Sequence, residues 1–381
     1  MAPELNGPVI GSRIAPTHDV AFPAPLVEVS GLPNGFPAML DSPLAWSGRQ
    51  FKRDSDYVFR LEEPHLIEID QALQEFKKLG LDGDLVSTQN FALPTLGLKL
   101  LDLQRDIYCG KGFGLVRGLD PQRYSVEDLT TIYMGIQCYI ANLQGRQDKK
   151  GNMLVHIIAD NSTKMKALHH RHSTAPITFH NEEAGDIISW LTRSTAVSGG
   201  KCILASVYTV YNALAASRPD LVRVLARSDW PFALPRFQCR PVLFYHDRRI
   251  ISNFGRAALL GSASHVRPDR LPKLNSIQIE ALDAIERIAQ ATQLEITTQA
   301  GDIHFINNLA VLHRREGFTN GSSTIEKRHL VRMRLRDSEM GWSIPNELKD
   351  EWVETFDPKL NRVWHLESMP DGFFPLRSQA N

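Results

Sequence analysis

The sequence predicts a mainly β fold with flanking helices, an α+β chain whose strands pair antiparallel in a sandwich or barrel. Two observations lead there. From about residue 152 short β-type runs follow one another: MLVHII, PITFH, DIISWL, KCILAS, PVLFYH, RIISNF, LEITT, DIHFI and HLVRMRL. The links between several of them are tight turns such as SGG and HDRR, which join antiparallel strands rather than βαβ units.

The region before residue 152 has a different texture. Residues 1–50 form a proline-rich arm, because proline lacks a backbone donor and restricts the residue before it. Its apolar residues Phe22, Leu26, Val27, Phe36, Leu40 and Trp46 predict docking on a domain surface. Residues 51–381 read as a single domain, with a helical part over 51–150 and a C-terminal extension over 341–381. Leu66, Ile69, Leu73 and Phe76 form one helical stripe, opened near Pro64 and closed by Gly80. Leu96, Leu100, Leu103 and Ile107 form a second, and GFGLVRG over 112–118 reads as a short buried strand. Ser125 and Asp128 resemble a capping box opening a third helix. Two later helices are predicted over 208–226 and 276–291, the first with Tyr208 and Tyr211 packed on one face.

Composition narrows the function. Lys plus Arg and Asp plus Glu number 43 each, so no field of one sign points to nucleic acid or an anionic membrane. No apolar run approaches the ~20 residues of a membrane helix. The first residues lack a signal peptide's basic start and apolar run, so a soluble, cytoplasmic protein is expected. Cys109, Cys138, Cys202 and Cys239 form no CxxC pair and read as reduced thiols. Neither a full GxGxxG nor a GxSxG is present, so dinucleotide binding and an α/β-hydrolase are unsupported.

The chemistry concentrates in ITFHNEEAGD. On a strand, His180 and Glu182 would point to the same face, where an imidazole and a carboxylate can grip one metal ion. His313, after a GDI strand and an Asn307–Asn308 turn, offers the third ligand. Two histidines and a carboxylate with open positions opposite form the facial triad of non-haem iron(II) oxygenases. In KRHLVRMRLRD, Arg328, Leu330, Arg332, Arg334 and Arg336 share one strand face. Arg334 and Arg336 read as solvated, whereas an arginine in a barrel mouth would clamp a carboxylate. His170 and His172 read as residues near the site mouth or in solvent, and His304 as a core histidine.

The ordered set His180-Asn181-Glu182, Ser198-Gly199-Gly200, Asn307-Asn308 with His313, and Arg328 with Arg332 resembles the taurine dioxygenase/TfdA-like family, its fungal branch in particular. The resemblance covers roughly 110–340. It implies a double-stranded β-helix (jelly roll) core, with Fe(II), 2-oxoglutarate and dioxygen as cofactors. It implies His180, Glu182 and His313 as iron ligands, and Arg328 on the far carboxylate of 2-oxoglutarate. Arg332 matches a position that binds the substrate's anionic group, and the two arginine roles are exchangeable on the sequence. Cys202 stands where a hydroxyl residue helps hold 2-oxoglutarate, and Glu182 where most members have aspartate. Glutamate occurs in the clavaminate synthase and asparagine oxygenase branch, which implies an amino-acid-like or carboxylate substrate. Oxidation of an unactivated C–H bond follows, with release of succinate and CO2. Hydroxylation is the default outcome, and desaturation or cyclisation are compatible. A catalytically inactive jelly-roll binding protein and a zinc hydrolase on the same triad are the alternatives. The partner expected is a small anionic molecule in fungal secondary metabolism, with no nucleic acid and no membrane. A homodimer through the helical part is one expectation for assembly.

Overall fold

The computed structural model describes residues 31–159, 172–262 and 266–368. His169 and His170 and the arm before residue 31 lie outside them. In chain order the strands are β1 (Val58–Arg60), β2 (Phe113–Arg117), β3 (Leu143–Gly145), β4 (Val155–Ile158), β5 (Ile187–Ser194), β6 (Ser198–Gly199), β7 (Cys202–Ser206) and β8 (Pro231–Phe232). They continue as β9 (Gln238–Cys239), β10 (Leu243–His246), β11 (Arg249–Ser252), β12 (Leu294–Ile296), β13 (Ile303–Asn307), β14 (Val311–Arg315), β15 (Phe318–Thr319) and β16 (His329–Arg336).

The larger sheet runs β1-β2-β13-β5-β16-β3, with β4 also on β16, and every pair except β1–β2 is antiparallel. A second sheet, β12-β7-β14, makes the opposite wall. This is the jelly-roll core. The period of two along each strand divides the apolar residues into two cores. Phe113, Leu115, Ile188, Trp190, Leu204, Ile306, Val311 and Leu330 fill the space between the sheets. Their neighbours Val116, Ile187, Leu191, Ile203, Phe305 and Val331 turn outward into a larger core with the helices.

The helices Glu63–Lys78, Leu96–Cys109 and Val126–Gln137 bury the stripes the sequence predicts. The helix expected over 208–226 is two, Val207–Ser217 and Pro219–Leu225. Pro219 explains the break, since it cannot continue the backbone hydrogen-bond ladder and sits as the first residue of the second helix. Tyr208 and Tyr211 are buried together on the first of these helices. Residues 31–50 of the proline-rich segment are held by paired bonds between Leu40 and Asn212, at 2.8 and 2.9 Å, and by Trp46 Nε1 donating to the Lys111 carbonyl. All four cysteines are free thiols. No helix among the described residues is long and apolar enough to cross a membrane.

Two expectations fail for the same reason. PITFH is not a regular strand: only His180 forms bridges, to His313 and Gly255, although Ile177 N also donates to the Arg315 carbonyl. Nor are Arg334 and Arg336 on a solvated face. Arg334 is buried, and Arg336 Nη1 lies 2.6 and 2.8 Å from the two oxygens of buried Asp186. β16 is a central strand whose inner face meets the irregular 181–186 segment, and that segment supplies the countercharges. Asp186 also accepts from Trp352 Nε1 at 2.7 Å and Trp342 N at 3.2 Å.

Asp186→Ala should therefore lower unfolding stability by roughly 3 kcal/mol, at the low end for a broken buried pair because Arg336 keeps some access to water. A urea melt at neutral pH measures it.

Candidate active site

The triad is assembled from three places. β14 carries His313 on its inner face, and pairing with β7, with His313 opposite Leu204, fixes its register. His180 pairs with it through both backbone bonds, N to O at 3.0 and 3.1 Å, which sets the two rings with centroids 4.3 Å apart. Glu182 is placed by Asn308. Its backbone N–H donates to Asn308 Oδ1 at 2.8 Å, and Asn308 Nδ2 donates to the carbonyls of Glu182 and Gly185, each at 3.1 Å. Asn181, between His180 and Glu182, turns its amide the other way to donate to the Asn308 carbonyl at 2.6 Å.

The outcome is that one ligand atom each from His180, Glu182 and His313 lies within 4.8 Å of the other two. His180 Nδ1 is 3.0 Å from the Thr178 carbonyl, which makes Nδ1 the protonated nitrogen and leaves the Nε2 lone pair facing Glu182 Oε1 at 4.0 Å. Burial holds the His313 pKa well below its ordinary value, with nearby His180 adding to the shift, so its imidazole is neutral as a ligand must be. Its Nδ1 is buried, with no hydrogen-bond partner among the described residues. Two imidazoles and one carboxylate converging on a common point are a donor set that fits Fe(II).

The triad lies at one side of an open cleft. Ile157, Ile177, Trp190 and Leu330 make its apolar wall, and Arg314, Arg315, Arg328 and Arg332 its basic one. Arg328 leans over the Phe318 ring, 5.4 Å from its centroid, and among the described residues its side chain has no ion pair. Burial, with Arg315 nearby, pushes its pKa down to about 9, so an anion that neutralises it would be welcome. Gly200 explains the GG turn: at φ 77° it is left-handed, and a Cβ there would come within 3.3 Å of Arg328 Cδ. Cys202 lines the same end of the cleft. Burial pushes its thiol up to about 12, so it is a neutral, weak donor. Arg332 is differently engaged: its Nη1 pairs with Glu182 Oε1, and its Nη2 is 3.1 Å from Gln147 Oε1.

Comparison with known proteins places this site. Residues 75–334 match the taurine catabolism dioxygenase TauD, TfdA family. The chain belongs to that family. It is thereby a dioxygenase of the class that uses Fe(II), 2-oxoglutarate and O2. The taurine hydroxylase-like protein SAT17 of Stachybotrys chartarum is 34% identical over 345 residues, covering 87% of this chain and 89% of the relative. The jelly roll is shared with an asparagine oxygenase solved with Fe(II), 2S,3S-3-hydroxyasparagine and succinate. The TM-score is 0.57 and the identity 16%, over 75% of this chain and 98% of that one. The non-heme iron oxygenase OrfP, solved with Fe and alpha-ketoglutaric acid, aligns with a TM-score of 0.53 and 14% identity over 73% and 93% of the two chains.

Within this TauD/TfdA frame, sequence reasoning missed the residues that place the triad. The sequence pattern shows Asn308 only as a turn residue, gives no signal for Gln147, and reads Arg334 as solvated. The NN pair was the available signal, since an asparagine that fixes its neighbour's backbone occupies such turns. His304 is buried as expected, stacked on Trp190 with centroids 4.7 Å apart, and burial pushes its pKa down to about 3. His172 Nδ1 contacts the Ile158 carbonyl at 2.9 Å, and His172 is not among the residues that cluster as metal donors.

Asn308→Asp turns an amide donor into a third oxygen against the Glu182 and Gly185 carbonyls. It should cost about 2–3 kcal/mol, the desolvation penalty of unsatisfied buried groups, and calorimetric unfolding of the metal-free protein reads it.

Proposed function

We propose that this enzyme oxidises an unactivated C–H bond of a small anionic substrate, amino-acid-like or another carboxylate. In this reading His180, Glu182 and His313 hold Fe(II), while Arg328, with Cys202 beside it, binds the far carboxylate of 2-oxoglutarate. The observation that carries it is the convergence of the three donor atoms in a cleft whose Arg328 side chain has no ion-pair partner among the described residues.

The charge of the cleft supports an anionic substrate. Four arginines line it, Arg314, Arg315, Arg328 and Arg332, against the single carboxylate of Glu182. The cation bound by the triad adds to that excess, and one dicarboxylate cosubstrate leaves positive charge over for a second anion. Arg314 and Arg315 are partly occupied, by Gln293 Oε1 at 2.9 Å and the Ser173 carbonyl at 2.6 Å. The aliphatic wall of Ile157, Ile177 and Leu330 suits the carbon skeleton to be oxidised and keeps bulk water from it. Hydroxylation is the default outcome. The fungal source of the 34%-identical relative supports a fungal setting for this chemistry.

When bound, iron with 2-oxoglutarate and dioxygen would supply the oxidising power: one oxygen atom would end in succinate as carbon dioxide is lost, and the other would go to the substrate. The protein's residues do the rest. The His180 and His313 imidazoles and the Glu182 carboxylate would hold the metal where they converge, beside the cleft they line. Arg328 orients the cosubstrate through a charge-assisted pair, and Trp190 shields the ring of His313, 6.2 Å away between centroids.

Anaerobic addition of Fe(II) and then 2-oxoglutarate should produce a visible charge-transfer band that His180→Ala and His313→Ala both lack. A protein that gives no band and instead retains zinc would sink the reading. Arg328→Ala should keep Fe(II) binding but weaken 2-oxoglutarate by roughly 10- to 100-fold, the cost of one charged hydrogen-bonded pair, measured by the same titration.

A further inference from the structure

We infer that Arg332, braced by Gln147, is a positioning residue that aims the Glu182 carboxylate at the metal, an inference that rests on the triad proposed above. Arg332 Nη1 pairs with Glu182 Oε1, the oxygen that also lies 4.0 Å from His180 Nε2. Arg332 Nη2 is 3.1 Å from Gln147 Oε1. Arg334 Nη2 adds longer contacts to Glu182 Oε2 at 3.8 Å and Glu183 Oε2 at 3.6 Å. The side chains of Arg332 and Glu182 are only 4% and 10% exposed, so the pair is screened from solvent and directional.

The brace is built into the sheet. β3 and β4 both pair with β16, β3 along Arg334–Arg336 and β4 along His329–Arg332. The 146–154 connection between them must therefore pass the junction at Arg332. Gln147 sits on it, 4% exposed, with its backbone N–H on the Asn152 carbonyl at 2.6 Å and its Nε2 on the Met153 carbonyl at 3.5 Å. The connection is fixed from outside as well. Arg146 N donates to the Thr355 carbonyl at 2.9 Å, and Met153 N to the Val363 carbonyl at 2.9 Å. A rigid acceptor thus sets one arm of the Arg332 fork, and the planar guanidinium fixes the other arm against Glu182.

The test is Fe(II) affinity of the metal-free full chain, measured anaerobically by calorimetry without cosubstrate. Gln147→Leu removes the acceptor and leaves every charge in place. It should weaken Fe(II) binding by roughly 10-fold, the scale of a lost outer partner of a ligand. Gln147→Glu, which restores an acceptor, should recover the affinity. A folded Gln147→Leu that binds Fe(II) like the wild type overturns the inference. Should that variant not fold, Arg332→Lys decides in the same way, since lysine keeps the charge but cannot bond Gln147 and Glu182 as a fork. His180→Ala is the control. Loss of Fe(II) binding there with no effect of Gln147→Leu refutes only the brace, and no loss in His180→Ala refutes the triad and the brace together.

Discussion

Three arginines stand in a row on the inner face of β16, and a protein interior accepts them only where carboxylates face them. The 181–186 segment answers with Glu182, Glu183 and Asp186. This pairing is what the site depends on. It forces the segment out of regular strand geometry after His180, because its acids must follow the spacing of the β16 arginines rather than a ladder partner. It also lets the Glu182 carboxylate sit only 10% exposed. The charge is held by Arg332 and Arg334 and its backbone by Asn308.

The same row makes the two arginines of the Arg-x-x-x-Arg strand unequal. Arg328 lies at the edge of β16, over Phe318 and against the Gly200 backbone, where nothing described pairs with its charge. Arg332 lies where β5 crosses, its backbone opposite Trp190, Trp190 opposite His304, and His304 opposite Leu115. One register row thus carries the positioning arginine, the aromatic wall of the cleft and the histidine stacked behind it. A one-residue slip of β16 would turn all its arginines outward and replace them with Val331, Met333 and Leu335. The outer helices prevent that slip by burying those three side chains.

The outer helices and the arm matter to function in this indirect way. The helix Val126–Gln137 reaches the back of β5 through Tyr133, whose hydroxyl donates to Ser189 Oγ at 3.0 Å. Trp46 closes the end of the inner core against Phe113, with centroids 5.1 Å apart. Neither touches the cleft, yet both fix the strands that carry its residues.

The sequence by itself determined the class of fold and the chemistry of the site. Alternation along β16 separated the arginine face from the face of Val331, Met333 and Leu335. The order of the HNE, SGG, NN…H and Arg-x-x-x-Arg segments was legible because metal ligation, left-handed turns and anion binding each need particular residue types at short spacing. What the tertiary structure decided is who answers whom. Asn308 and Gln147 act on residues far away in the chain, and no local pattern announces an asparagine that holds a glutamate backbone or a glutamine that steadies an arginine. The burial of Arg334 and Arg336 was invisible for the same reason. A strand face reads as solvated or interior according to what packs on it, and that is a property of the assembled sheets rather than of the strand.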